Sequence, residues 1–553
     1  MSLNRITISL PNGKTLETAP GTRAIDFIDA LTQEPEQIYA VRVNNQICSL
    51  NKSILTDCKI EPVFAKSKDG AEVYRRTLCF TMEAAMHSID PEYRLLIGHS
   101  LGYGYYYTLS DGNAIHPPLI EKLKTKMQEL INKNLPINTF AISYEQAIEL
   151  FEKQGLTDTR KLMNYKTPPR VEINNLGDFT DMYYAPLLVS TGYLKVWQII
   201  KYGQGFLLRF PTSSEPNELP EFHDIPQLFK TYEKYKKWGK HIGITTVASL
   251  NELVSNRQID NFINVSETFQ HKCITDIATQ IYELGKIKVV LMAGPSSSGK
   301  TTSAKKLALE LQAIGYRPKV ISLDCYYVGR DKTPKDENGN YDYECLEALD
   351  VPLLNQNLID LFDGKEVVIP SYNFHDGTQF FEEKNKMSLA PNDILIMEGI
   401  HGLNDKLTPL IPAEMKFKIY LSALTQLNLD DHNRISTSDN RLIRRIVRDY
   451  QFRGKSAAGT IAMWPSVRKG EELHIFPFQN NADAILNTAL DYELSVLKVY
   501  AEPLLRCVKP TQKEYGEACT LLDFLTNFAT IAPTAVPQRS IIREFIGGSA
   551  FKY

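Results

Sequence analysis

One stretch of the chain, between residues 289 and 311, joins an apolar run, a glycine-bounded loop and a helical pattern. The loop, GPSSSGKT, fits the spacing G-x-x-x-x-G-K-[ST], with glycines at 294 and 299 followed by Lys300 and Thr301. The run before it, IKVVLMA, has the β-branched, apolar character of a central parallel strand. The segment after it repeats apolar residues at helical spacing. This order predicts an open α/β sheet that carries an anion-holding loop at the carboxyl end of one strand.

The chemistry of this loop favours phosphate. Successive backbone N–H groups can turn inward to form a nest, and the helix that follows adds a partial positive charge. Lys300 would reach the β- and γ-phosphates of a nucleotide, and the Thr301 hydroxyl would ligate Mg²⁺. No guanine-reading N-K-x-D element follows, so an ATP-dependent kinase and an ATPase both stay open. The predicted phosphate-binding residues are Gly294, Ser296, Ser297, Ser298, Gly299, Lys300, Thr301 and Thr302.

Acidic residues stand at the predicted ends of two further strands. VISLD ends in Asp324, and ILIME ends in Glu398. Ligands of open α/β sheets lie beyond the carboxyl ends of the strands. There Asp324 could take the proton of an attacking hydroxyl, with a turn-capping aspartate as the alternative. Thr301, Asp324 and Glu398 together are predicted to hold Mg²⁺.

Five arginines cluster late in the chain. Four of them fall at i, i+3, i+4 and i+7, on one face of a predicted helix, and Arg453 lies just beyond. Like charges at this spacing cost only roughly 0.2–0.5 kcal/mol per pair, so a solvated face is one interpretation. The other is a lid that closes on polyphosphate, with Arg445 and Arg448 stabilising the transition state and Arg453 binding the nucleotide. The four helical arginines are Arg441, Arg444, Arg445 and Arg448.

The segments GPSSSGKT, SLDCYY, VVIPSYNF, IMEGIHGL and RLIRRIVRDYQFRGKS occur in one order between about residues 287 and 508. In that order they resemble the uridine kinase / phosphoribulokinase family. The resemblance implies transfer of the ATP γ-phosphoryl group to a small-molecule alcohol, in uridine kinases the 5′-hydroxyl of a nucleoside. By position, Asp324 would be the general base, Asp342 would hold the ribose and Tyr372 would pack on the base. Uridine kinases have a histidine five residues after this tyrosine, where Gly377 stands here, and His375 lies three residues after it. Arg448 would also face the substrate.

The front of the chain carries a second resemblance. ITISLPNGKTLET alternates apolar and polar residues around a turn, and residues 1–66 resemble the β-grasp TGS domain. Residues 67–220 resemble the editing domain of threonyl-tRNA synthetase, whose site uses H-x-x-x-H and C-x-x-x-H. Thr77, Thr81, Tyr183 and Leu187 stand at those positions here, so we expect no editing activity.

These features predict an α/β P-loop kinase, a parallel sheet flanked by helices, behind β-grasp and α+β modules. Residues 221–285 are predicted as a helical connector, 286–508 as the kinase domain and 509–553 as a docking extension without chemistry of its own. The net charge of −3 and eight scattered cysteines favour a cytoplasmic protein with reduced thiols and no membrane partner. A competing hypothesis is an ATP-switched regulator that senses RNA or tRNA through the front modules. The sequence leaves the oligomeric state open.

Overall fold

The first module is a five-stranded mixed sheet with one short helix. The computed structural model describes residues 5–34, 37–337, 339–373 and 375–552. The spatial order is β2-β1-β5-β3-β4, with β1 and β5 parallel. The predicted hairpin forms, although only Gly13 of its turn has a positive φ (+80°) while Asn12 accepts a hydrogen bond from the Lys14 amide. The elements are β1 (Ile6–Ser9), β2 (Thr15–Thr18), α1 (Ile28–Leu31), β3 (Ile38–Val43), β4 (Gln46–Cys48) and β5 (Cys58–Phe64).

The second module surrounds a long, largely buried helix, α2. Two antiparallel sheets accompany it, in the orders β10-β9-β8 and β11-β12-β7-β6. Its elements are α2 (Lys68–Ile89), β6 (Leu95–Ser100), β7 (Gly104–Leu109), α3 (Pro117–Asn132), β8 (Asn138–Ser143), α4 (Tyr144–Lys153), α5 (Thr157–Leu162), β9 (Arg170–Leu176), β10 (Phe179–Asp181), β11 (Gln198–Tyr202) and β12 (Gly205–Arg209).

Three helices follow where a helical connector was predicted. They are α6 (Pro226–Ile242), α7 (Val247–Ser255) and α8 (Ile259–Leu284). Helices α6 and α8 each end at a glycine in the left-handed region, at residues 243 and 285, which is the usual way to stop a helix.

The C-terminal half is built on a five-stranded, all-parallel sheet of order β14-β17-β13-β18-β19. Every residue of β13 and β17 is buried, as expected for strands covered on both faces. The elements are β13 (Val289–Ala293), α9 (Lys300–Ala313), β14 (Arg317–Ser322), α10 (Val351–Phe362), β15 (Val367–Asn373), β16 (Thr378–Met387), β17 (Asp393–Glu398), β18 (Lys416–Ser422), α11 (Thr437–Arg453), α12 (Ala457–His474), β19 (Ala484–Asn487), α13 (Glu493–Arg506), α14 (Tyr515–Leu525) and α15 (Arg543–Ile546).

The loop between β18 and α11 joins the two halves of the molecule. His432 in this loop is buried against the second module, where its Nδ1 lies 2.7 Å from Asp181 Oδ2 and its Nε2 lies 3.5 Å from Glu83 Oε2. Burial alone would lower the pKa of His432, but the two carboxylates raise it to about 10. Asn428 in the same loop donates to the Ile97 carbonyl. Across the described residues, no helix is both long and apolar enough to cross a bilayer.

Candidate active site

The phosphate loop lies where the motif predicts it, between the carboxyl end of β13 and the start of α9. Its backbone needs the two glycines. A Cβ at Gly294 would lie 2.3 Å from the Leu421 carbonyl oxygen, and Gly299 has φ +81°. Ser297 and Ser298 are buried, and their hydroxyls have no hydrogen-bond partner among the described residues. The loop therefore presents polar atoms that only a bound ligand or water can satisfy.

Lys300 is folded back over this loop. Its Nζ donates to the carbonyl oxygens of Gly294 at 3.0 Å and Pro295 at 3.3 Å. These contacts hold the ammonium group directly above the nest of the loop, so one positive charge faces any anion that enters.

The three predicted metal ligands converge beside the loop. The Thr301 hydroxyl donates to Glu398 Oε1 at 3.1 Å. Burial raises the pKa of Glu398 to about 7; Lys300 opposes the shift and Asp324 reinforces it. Asp324 lies in the single helical turn after β14, where its side chain is exposed. The region between Asp324, Lys300 and Glu398 is called the cleft below. The protein packed around the cleft raises the pKa of Asp324, and Lys300 works in the opposite direction.

Arg441 and Arg444 are not lid residues, and this part of the lid hypothesis is wrong. Both are buried, and each guanidinium pairs in bidentate fashion with a carboxylate of another helix: Arg441 with Glu471 of α12, and Arg444 with Glu493 of α13. Buried guanidinium groups need such partners, so the positive charges of Arg441 and Arg444 are already paired within the fold.

The same two guanidinium groups fix the phosphate loop from behind. Arg441 Nη1 donates to the Ser296 carbonyl and Arg444 Nη1 donates to the Ser297 carbonyl, each at 3.2 Å. Glu471 in turn accepts from the Ser296 amide at 3.0 Å. The arginine helix thus sets the shape of the loop instead of closing over its ligand.

The other three arginines share one buried carboxylate, Asp449. Arg445 lies 3.3 Å from it and also donates to the Ser296 hydroxyl at 2.6 Å. Among the described residues, both side-chain hydrogen bonds of Arg448 go to Asp449. Arg453 lies 3.7 Å from the same carboxylate, and about half of its side chain is exposed. Arg445 therefore touches the loop, whereas Arg448 and Arg453 stand beside it.

The structure shows local contacts for two of the predicted acceptor residues. Asp342 uses Oδ1 to accept from the Glu344 amide at 2.9 Å, so it closes a turn. The side chain of His375 is 94% exposed and pairs with Asp376. Tyr372, at the end of β15, packs its ring 5.4 Å from that of Tyr327. The roles of all three residues in binding an acceptor stay predictions.

Glu344 is a further candidate site residue, which the motifs did not indicate. Burial raises the pKa of this carboxylate, the charges of Lys300 and Arg445 lower it, and those of Glu471 and Asp324 raise it further, so the group lies within electrostatic reach of Lys300 and Asp324. Its side chain is packed against α12, where a Cβ at Gly470 would lie 2.9 Å from Glu344 Cγ. The sequence signal that could have indicated Glu344 is the pair of acidic residues at 342 and 344. The first of them fits a turn, so the second can face the cleft.

Together, the parallel sheet, the phosphate loop at its central strand and the acidic residues at two neighbouring strand ends define a P-loop kinase fold. Comparison with known proteins gives the family. The model described as "Phosphoribulokinase / Uridine kinase family" matches residues 289–495. A uridine kinase of Macrococcus caseolyticus is 32% identical over 205 residues, which cover 37% of this chain and 89% of that protein. The chain belongs to the phosphoribulokinase/uridine kinase family.

The front of the chain matches a different group of proteins. The threonine–tRNA ligase of Clostridium kluyveri is 30% identical over 199 residues, covering 35% of this chain and 31% of the ligase. The chain thus spans only about a third of these relatives. Among solved structures, a possible uridine kinase from Bacillus stearothermophilus is 20% identical to this chain, with a TM-score of 0.27. The match covers 39% of this chain and 98% of the chain of that structure.

Proposed function

We propose that this protein transfers the γ-phosphoryl group of ATP, with Mg²⁺, to a hydroxyl group of a small molecule, with a nucleoside as the favoured acceptor. The observation that carries the proposal is the convergence of Lys300, Thr301, Asp324 and Glu398 at one end of the parallel sheet. Phosphoryl transfer needs positioning and charge neutralisation more than covalent chemistry, and this group supplies both.

The donor set fits Mg²⁺. Thr301, Asp324 and Glu398 offer one hydroxyl and two carboxylates, which suits an ion that keeps several waters and phosphate oxygens as its other ligands. When bound, the ion would neutralise charge on the phosphates. Burial is the main cause of the raised pKa of each carboxylate, and repulsion by Asp324 adds to the shift of Glu398. A cation at this point would relieve that repulsion.

Asp324 is the proposed general base. Its raised pKa makes the carboxylate a better proton acceptor than a free aspartate, and it faces the same cleft as Lys300. Lys300 would move from the loop carbonyls to the transferred phosphoryl group. Arg445, which contacts the Ser296 hydroxyl, would place a second positive charge beside that group. Arg448 and Arg453 would contact the phosphates only if nucleotide binding moved them away from Asp449.

Glu344 is proposed for the role predicted for Asp342, because one carboxylate oxygen of Asp342 is engaged in a turn. A carboxylate close to both Asp324 and Arg445 can accept hydrogen bonds from the hydroxyls of an acceptor and so aim one of them at the phosphoryl group. Tyr372 would form an apolar wall beside it. A polyhydroxylated acceptor with a flat ring, such as a nucleoside, fits this pair of groups.

The front modules are proposed to be structural or regulatory, and no longer hydrolytic. Thr77 accepts from the Leu188 amide at 2.9 Å and donates to the Val73 carbonyl. Tyr183 packs edge-on against Phe80, and Leu187 is buried. Hydrogen bonds of Thr77 and the packing of Tyr183 and Leu187 occupy the positions at which the resembled editing domain has its catalytic side chains. The second candidate function, tRNA sensing, is favoured only by the similarity of this region to threonine–tRNA ligases.

The test is ADP release from ATP and Mg²⁺ in the presence of a panel of nucleosides and sugars. We expect turnover that depends on one acceptor class, and its loss in Lys300→Ala and Asp324→Asn. Asp324→Asn should keep most of its affinity for ATP, and Asp342→Asn serves as the matched control with near-normal activity. Near-normal turnover by Asp324→Asn would reject the base assignment. Turnover that ignores every acceptor but responds to tRNA would support the regulator.

A further inference from the structure

The C-terminal segment, residues 540–552, lies against the phosphate loop. Ile541, Ile542 and Phe545 are completely buried, and the Phe545 ring lies 5.0 Å from the guanidinium of Arg444. A Cβ added to Gly299 would come within 2.7 Å of Ile541 Cγ2. Residues 540–552 are therefore part of the wall of the phosphate site. The sequence predicted this region only as a docking extension without chemistry of its own.

One polar side chain of this segment reaches the loop itself. Glu544 Oε2 accepts from the Thr302 amide at 3.1 Å and from the Thr302 hydroxyl at 2.6 Å. Thr302 is the third residue of α9, a 14-residue helix, and its N–H is one of the donors predicted to hold a nucleotide phosphate. A carboxylate at a helix N-terminus satisfies the same amide and the same helix dipole that a phosphate group would.

We propose that Glu544 is a built-in competitor of the nucleotide, which must leave Thr302 before a phosphate of ATP can bind there. This inference rests on the proposed ATP site. The carboxylate and the phosphate are both anions and acceptors only, so they cannot share one amide donor. The Thr302 amide therefore binds either the Glu544 carboxylate or a phosphate group, but not both. The more stable its contact with Glu544 is, the lower is the affinity of the site for nucleotide.

The exchange needs only a side-chain movement. Arg543 donates to the carbonyl oxygens of Pro533, Val536 and Gly547, and these bonds hold the segment without help from the phosphate loop. The buried isoleucines and Phe545 anchor it further. Glu544 is only half-buried, so its carboxylate can swing away while the backbone stays in place.

The experiment compares ATP, ADP and adenosine binding to the full-length protein by calorimetry. The variants are Glu544→Ala and Glu544→Gln, with Glu514→Gln as the control, since Glu514 has no side-chain hydrogen bond or ion pair among the described residues and only its backbone carbonyl accepts, from the Ala518 amide. We expect the dissociation constants of ATP and ADP to fall by about tenfold in Glu544→Ala, because a charged hydrogen bond no longer competes. Adenosine, which lacks phosphate, should gain nothing.

Equal or weaker ATP binding by both Glu544 variants, with normal binding by the wild-type protein, would overturn this inference and leave the proposed function standing. A gain that extends equally to adenosine would also overturn it. If neither the wild-type protein nor any Glu544 variant binds ATP, the proposed function itself fails, and the inference fails with it.

Discussion

Replacement of Arg444 by methionine separates a structural arginine from a lid arginine. The side chain is fully buried, makes two hydrogen bonds to Glu493 and donates to the carbonyl oxygens of Ser297 and Thr488. Its loss would leave the Glu493 carboxylate buried without a counter-charge, which costs about 3–5 kcal/mol of folding free energy. Arg453→Met on the same helix should cost less than about 1 kcal/mol, because that pair is long and partly exposed.

The assay is urea unfolding followed by tryptophan fluorescence, since Trp464 is buried in the same core as α11. The double variant Arg444→Met, Glu493→Met should recover most of the loss, because no charge is then left buried. If Arg444→Met unfolds within 1 kcal/mol (about a fivefold change in the equilibrium constant) of the wild-type protein and loses only phosphoryl transfer, the assignment of Arg444 to the fold is wrong.

Three further outcomes are expected. Glu344→Gln should raise the KM of the acceptor by about tenfold with little effect on the KM of ATP, whereas Asp342→Asn should change neither; steady-state kinetics with both substrates varied decides this. Glu398→Gln should raise the Mg²⁺ concentration for half-maximal activity by roughly 10–100-fold, and an unchanged Mg²⁺ titration would remove Glu398 from the metal site. Burial lowers the pKa of His99 to about 3, so the unfolded chain binds a proton there below about pH 6.5 and the folded chain does not. Stability should therefore fall as pH drops from 6.5 towards 3, by up to about 1.4 kcal/mol per pH unit, and His99→Phe should flatten this part of the urea midpoint–pH curve.

The sequence predicts well those features that depend on residues close to one another along the chain. The strand, loop and helix around Lys300 follow from one short motif in its context, and the strand-end positions of Asp324 and Glu398 follow from the apolar runs before them. The helices α6–α8 likewise follow from periodicity and from the glycines that end two of them.

What the sequence could not supply depends on distant partners. Arg441 and Arg444 look like a surface cluster because their carboxylates are 30 and 49 residues away along the chain. Glu544 is 242 residues from Thr302, and nothing in its neighbourhood marks it as a ligand. Asp342 closes a turn by accepting from the Glu344 amide, and a sequence pattern cannot distinguish a turn aspartate from a substrate ligand.

The contact of His432 with Asp181 and Glu83 couples the stability of the front modules to that of the C-terminal half. The loop that carries His432 leads straight into α11, whose arginines shape the phosphate loop. A catalytic half separated from the front modules would bare this histidine and lose the anchor of Asn428 at Ile97, while the front half would keep two buried acids with no cation between them. Each part is therefore expected to be less stable alone than in the joined chain.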